Sequence, residues 1–393
     1  MLVGAAALAR TALGLALVAA AAPAGAPPEG AAARPESEGH GPFDAELASA
    51  SATLEARRGR PEAIAPLAQL LALEDALPPR ALEPALRRAA AAGNHPLVAA
   101  QAALHLAHLL DEAGDADGAR AARASLGLFS RFAVVGPFGE GRAGFSQVFP
   151  PEHEAAAPEA GRTYRGRLGD VRWRAGDALV REGALVLDGM LRPDTQATAY
   201  VVVFARSGRD QEVALRLGTP GPVKVWVDGA LVLARDVVRT AALDQDAAPA
   251  RLRAGWNRIV VKTTVTDEPW RLYLRATDPA GRALALGDGA LPAGEKVATR
   301  GPAGRSARAV ETLEADLRRR AAAAPAGEAG ADAWLDLGRY LAWAEPGDRE
   351  AREAQAALET ARARRPTIDT LRLLADVARD EDERRRALDA AAT

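Results

Sequence analysis

The apolar residues change period twice along this chain, and no single regular fold accommodates both changes. Up to Leu128 they recur at helical spacing. Phe43, Leu47 and Leu54 mark one helix face, and Ile64, Leu67, Leu70 and Leu71 mark a second. Leu82 and Leu86 follow Pro79, and Asn94-His95-Pro96 opens a run through Leu97, Leu104, Leu106, Leu109 and Leu110. Near Phe132 the spacing shortens. VKVWV sets Val223, Val225 and Val227 against Lys224 and Trp226, and WRLYLRA sets Trp270, Leu272 and Leu274 against Arg271 and Tyr273. That alternation predicts strands with one covered face and one wetter face. Asp228-Gly229 between two apolar runs predicts a tight hairpin. Helical spacing returns at Val310, Leu313 and Leu317 and continues from Trp334 to Val377.

The expected fold class is therefore mixed and multidomain, with all-alpha helical repeats flanking an antiparallel beta-sandwich. The boundaries fall at a signal peptide or apolar N-terminal segment over 1–26, a linker over 27–42 and a helical repeat domain over 43–130. The sandwich takes 131–282, a linker 283–303, and C-terminal helices 304–393, the last of which has little left to pack upon. The uncharged run from Thr11 to Pro28 fits an export signal and is too interrupted by proline and glycine for a stable membrane span. The mature chain is expected to be exported, to the periplasm, cell envelope or beyond, without a stable transmembrane domain.

Composition removes several chemistries. There is no cysteine, hence no disulfide, thiolate metal site or cysteine nucleophile. Fifty basic residues stand against 52 acidic ones, so no global field draws nucleic acid. The lysines are Lys224, Lys262 and Lys296 alone, which leaves arginine as the bulk of the positive charge. His105 and His108 stand three apart on one helix without further ligands at metal-site spacing, and the sequence singles out no pair of opposed carboxylates for glycoside hydrolysis. No catalytic residue, cofactor or metal is assigned, and an enzyme is not expected.

Two stretches carry a resemblance. Trp334-Leu335-Asp336-Leu337-Gly338-Arg339-Tyr340-Leu341 resembles the first helix of a tetratricopeptide repeat, with Leu341 where the pattern has Tyr. Phe132-Ala133-Val134-Val135-Gly136-Pro137-Phe138, with the later run from Leu252 through Trp256 to Lys262, looks like an accessory beta-sandwich of galactose-binding-like or jelly-roll type. Such sandwiches occur in exported bacterial proteins and glycoside hydrolases. The resemblance implies a non-catalytic interaction scaffold that binds a protein or peptide partner through helical repeats, at a groove near Asn94, Gln101 and His105 or near Arg339. A first alternative is a carbohydrate-binding accessory protein, with Trp226 and Tyr273 as the outward-phase aromatics. A second is the non-catalytic front part of a larger transglutaminase-like or hydrolase family.

Overall fold

The computed structural model describes residues 43–152, 154, 161–291, 297, 304–306, 308–344 and 348–392. The expected signal segment over 1–26 and the linker over 27–42 lie outside them, as does His153. Among the described residues five helices come first: α1 (Asp44–Ala56), α2 (Ile64–Leu71), α3 (Pro79–Ala90), α4 (Pro96–Glu112) and α5 (Ala116–Ala124). Proline opens α3 and α4, where its missing N–H costs nothing, and the Asp115 carboxylate caps α5 at Gly118 N.

Strands follow as β1 (Ala133–Phe138), β2 (Thr163–Arg165), β3 (Asp170–Arg172), β4 (Arg174–Ala175), β5 (Val180–Arg181), β6 (Ala184–Val186), β7 (Ala197–Ser207) and β8 (Gln211–Gly218). They continue as β9 (Val223–Val227), β10 (Ala230–Arg235), β11 (Asp246–Leu252), β12 (Gly255–Val265), β13 (Arg271–Thr277), β14 (Gly287–Gly289) and β15 (Gly304–Arg305). The chain closes with α6 (Leu313–Ala323), α7 (Ala331–Ala344), α8 (Asp348–Arg364), α9 (Ile368–Asp376) and α10 (Glu381–Ala392). Among the described residues no helix is long and apolar enough to cross a membrane.

The architecture is mixed, with helices flanking β-sheets, and it corrects both resemblances. Among the described residues the strands of the expected antiparallel sandwich are not closed into a true sandwich. The described strands divide into a seven-stranded sheet, ordered β10-β9-β12-β7-β1-β4 with β14 also on β7, and a six-stranded sheet, ordered β15-β11-β8-β13-β6-β5. Both sheets are open. Their inner faces share one core, in which Val201, Val225 and Ile259 of the first meet Leu215, Leu272 and Leu274 of the second around Trp270. Alternation specifies which side of a strand is apolar, but carries no information on whether the edges join.

Among the described residues the expected tetratricopeptide array is absent as well. Helices α1 to α5 run from 8 to 17 residues without a repeating unit. They pack against α6 to α8 in one apolar core containing Leu67, Leu86, Leu106, Leu317, Leu337 and Leu341. Ion pairs Arg57–Asp336 (2.7 Å) and Arg320–Glu62 (2.6 Å) join the two ends of the chain across that core. The Trp-Gly signature encodes one close helix crossing: a Cβ on Gly338 would stand 2.6 Å from Leu358 Cγ. A single crossing of this kind does not make a repeat.

Candidate ligand site on the seven-stranded sheet

The outer face of the six-stranded sheet is closed by helix. Tyr273 is 6% exposed and lies under α4, against Ala100, Ala103 and Leu104. It faces away from the apolar core between the sheets, as its phase on β13 requires, but that face is covered and offers no surface for a glycan. Deeper in the seam, Arg275 donates from Nε to Asp244 Oδ1 at 2.8 Å and from Nη2 to the other oxygen, while Nη1 reaches Leu126 O at 3.0 Å. Arg216 donates to Thr277 Oγ1 and Glu311 O, tying the sheet to the start of the C-terminal helices.

The four residues expected to line a partner groove are also engaged within the fold. Asn94 Nδ2 donates to Arg88 O (2.8 Å) and Ala91 O (3.1 Å), which satisfies carbonyls left open where α3 ends. Gln101 is buried and donates to Leu243 O at 2.9 Å. His105 Nδ1 lies 3.2 Å from Glu74 Oε1, and its ring stands 5.8 Å from that of Trp343. Arg339 donates to Gln69 Oε1 at 3.2 Å and approaches Asp369 at 3.6 Å. These bonds tie helices and loops together. The His105 and His108 rings are 6.0 Å apart, yet among the described residues no group of three or more His, Asp or Glu is arranged to hold a metal.

The outer face of the seven-stranded sheet is different. Register alone assembles it. On β12, Trp256, Arg258, Val260, Lys262 and Thr264 alternate with the inner Ile259 and Val261, while Phe204 and Tyr200 of β7 stand opposite Arg258 and Lys262. Trp226 of β9 stands opposite Val260 on one side and Leu231 of β10 on the other. The β9–β10 turn uses Asp228 and Gly229 with φ of 47° and 86°, the paired left-handed geometry a two-residue hairpin needs. Its Oδ1 accepts from Arg258 N at 2.7 Å and so fixes the turn beside that arginine.

At one end of this face, Lys262 is fully buried and its ammonium is saturated. Nζ donates to Glu152 Oε1 (2.6 Å), Phe145 O (3.3 Å) and Gln147 O, with the Phe149 and Tyr200 rings 5.3 and 5.7 Å away. Burial pushes the amine below the ordinary lysine range, and Glu152 opposes that shift. Tyr200 donates to the same Glu152 oxygen at 2.6 Å, and burial, then the carboxylate, pushes its hydroxyl above the usual range. All three ammonium hydrogens have acceptors, so this group pins the 145–152 loop and is not an available nucleophile.

At the other end the polar groups are not saturated. Arg258 is 4% exposed, and its Nε is sealed without an acceptor. Burial lowers its pKa, while Glu154 and Asp228 act to raise it. Glu154 Oε2 accepts from Tyr164 at 2.8 Å, and Trp173 Nε1 donates to the Tyr164 oxygen at 2.9 Å, so two aromatics hold that carboxylate in place. Trp226 and Trp256 pack on the same apolar cluster but remain part-exposed, and Leu231 is 48% exposed. Sequence reasoning named Trp226 and missed Arg258, Glu152 and Glu154. The strand phase was available for Arg258, because it shares the parity of Trp256 and Lys262; the glutamates lie on loops and carry no such signal.

No protein-family model matches the sequence, and no curated protein aligns with it. Among solved structures, a GH31 alpha-xylosidase from Xanthomonas citri is similar at 13% identity and a TM-score of 0.23, over 40% of this chain and 16% of that one. A beta-glucosidase from Kluyveromyces marxianus in complex with glucose is similar at 9% identity and a TM-score of 0.25, over 58% of this chain and 23% of that one. The chain spans less than a quarter of the length of either. Likeness at that level carries no conclusion about fold or chemistry here.

Proposed function

We propose that the chain is a non-catalytic carbohydrate-binding protein whose site is the outer face of the seven-stranded sheet. The observation that carries this reading is Trp226, a part-exposed indole beside the exposed Leu231, with Trp256 part-exposed on the same sheet face. A flat aromatic next to polar groups is the ordinary platform for a sugar ring. The saturated Lys262 ammonium supports binding over catalysis. Export, expected from the sequence, belongs to this proposal, because an exported protein meets glycan polymers; cell fractionation tests it. For the binding itself, the purified chain is passed over insoluble polysaccharide prepared from matched cell envelope. Retention that disappears for Trp226→Ala, with the fold intact, is the expected result. Equal retention of both forms, or none of either, sinks the reading.

A protein-binding scaffold is the second reading, favoured by the far end of the helical body. None of the 12 residues of α10 is buried, and Ile368 and Leu388 are 57% and 46% exposed. A helix this short draws most of its stability from packing. Capture of one protein from glycan-digested extract, lost for a Leu388→Asp chain, would favour this reading over the sheet.

A further inference from the structure

The charges beside Trp226 bear on what kind of sugar the open part of the sheet face takes, an inference that rests on the carbohydrate reading above. Lys224 and Trp226 are two residues apart on β9, share its outer side and are both half-buried. Their Cα atoms therefore stand about 6.5 Å apart, close to the width of one pyranose ring. Register also sets Lys224 directly opposite Lys262 of β12. Two of the chain's three lysines thus face each other across neighbouring strands, a like-charge pair that costs stability unless anions offset it. Burial is the main cause that lowers the Lys262 pKa, and the Lys224 charge adds to it.

One anion is present, and Lys262 holds it: Glu152 Oε1 accepts from Lys262 and from Tyr200, each at 2.6 Å. The acid on the other side is engaged too. Ala234 of β10 stands opposite Lys224, and Asp236, two residues on, pairs with Arg142 at 2.7 Å. Lys224 makes no hydrogen bond or ion pair with any described residue, and its ammonium is open to solvent. It lies 4.7 Å from the centre of the Phe145 ring, which holds the charge in place without neutralising it. The face is one anion short beside its indole. A neutral sugar stacked on Trp226 would leave that excess charge as it is. A carboxylate carried on the ring would meet it, and hydrogen bonds between ions are the stronger class. We propose that Lys224 makes this face selective for acidic glycans, its ammonium binding the carboxylate of a uronate ring stacked on Trp226.

Titration calorimetry of the full chain at low salt tests this with hexagalacturonate and hexamannuronate as acidic probes and their methyl esters as uncharged counterparts of the same rings. An acidic probe should bind at least about 5-fold more tightly than its ester, the scale of one partly exposed ion pair, and the gap should narrow as salt is raised. Lys224→Gln should bind acid and ester alike. Lys224→Arg keeps the charge and should keep the gap, and it decides the matter if the glutamine variant fails to fold. An ester bound as tightly as its acid by wild type, a gap that survives Lys224→Gln, or a gap lost in a folded Lys224→Arg overturns the inference and leaves the carbohydrate reading standing. No binding of either acid overturns it too, and the polysaccharide retention experiment then shows separately whether the broader reading fails.

Discussion

Replacing Lys262 with methionine removes one charge from the covered sheet face while keeping the unbranched stem. The ammonium is fully buried and donates to Glu152, Phe145 O and Gln147 O; its loss leaves the Glu152 carboxylate, itself 8% exposed, without a cation. Breaking a buried pair from one side costs about 3–5 kcal/mol. Glu152 keeps the hydrogen bond from Tyr200, so a cost of about 3 kcal/mol, near the lower end of that range, is expected. The effect should fall on the pinned loop, where Ser146 N and Gln147 N donate to Ala143 O and Glu152 N donates to Phe149 O. Native-state hydrogen exchange reads such local opening directly. At 1.36 kcal/mol per decade, those amides should exchange about 100-fold faster in Lys262→Met. Adding Glu152→Gln removes the stranded charge, and the double variant should recover at least 10-fold of the protection. Exchange accelerated less than about 5-fold by the single variant, or a double variant no better protected, would refute the assignment of Lys262 as the pin.

Three further outcomes are expected. Arg275→Met strands the buried Asp244 in the seam between α4 and the six-stranded sheet, and should cost about 3–5 kcal/mol in urea unfolding. Gly338→Ala forces a methyl against Leu358 and should lower stability by about 1–3 kcal/mol, read as a lower thermal midpoint by circular dichroism. The third concerns acid. His95 Nδ1 and His108 Nε2 are sealed without partners, and burial holds both rings below the ordinary histidine pKa. Around His95 stand Asp316, Arg216, Arg320 and Glu62; around His108 stand His105, Glu182 and Glu74. The unfolded chain therefore takes up protons first as pH falls below about 6.5, and stability drops from there down through the depressed folded values. His108→Gln should shrink the difference in thermal midpoint between pH 7.5 and pH 5; an unchanged difference would remove His108 from that account.

Element type was legible in this sequence, and the relations between elements were not. The alternation of Val223, Val225 and Val227 placed those valines inward, the Leu272–Leu274 phase placed Trp270 with them, and Asp228-Gly229 located the hairpin. These are local properties set by the strand period. The pairing of Arg57 with Asp336 is a contact across 279 positions, and nothing local in either residue announces it. Hence two helical stretches read as separate arrays meet in one core. Tyr273 shows the same limit from another side: phase assigns it to a face, and only the packing of α4 determines that the face is closed. Arg258 is the converse case. Its parity with Trp256 and Lys262 could be read, but a lone arginine on a strand ordinarily points at water, and its burial depends on what lies over the sheet.

The central claim is that ligand meets this chain at the outer face of the seven-stranded sheet. Hydrogen exchange of the full chain, with and without soluble fragments of the retained polysaccharide, tests that placement most directly. Slowed exchange confined to the β9–β10 hairpin around Trp226 and Asp228 and to the start of β12 around Arg258 is the expected result. Slowing at α9 and α10 instead, or no change on the sheet at saturating fragment, would contradict it.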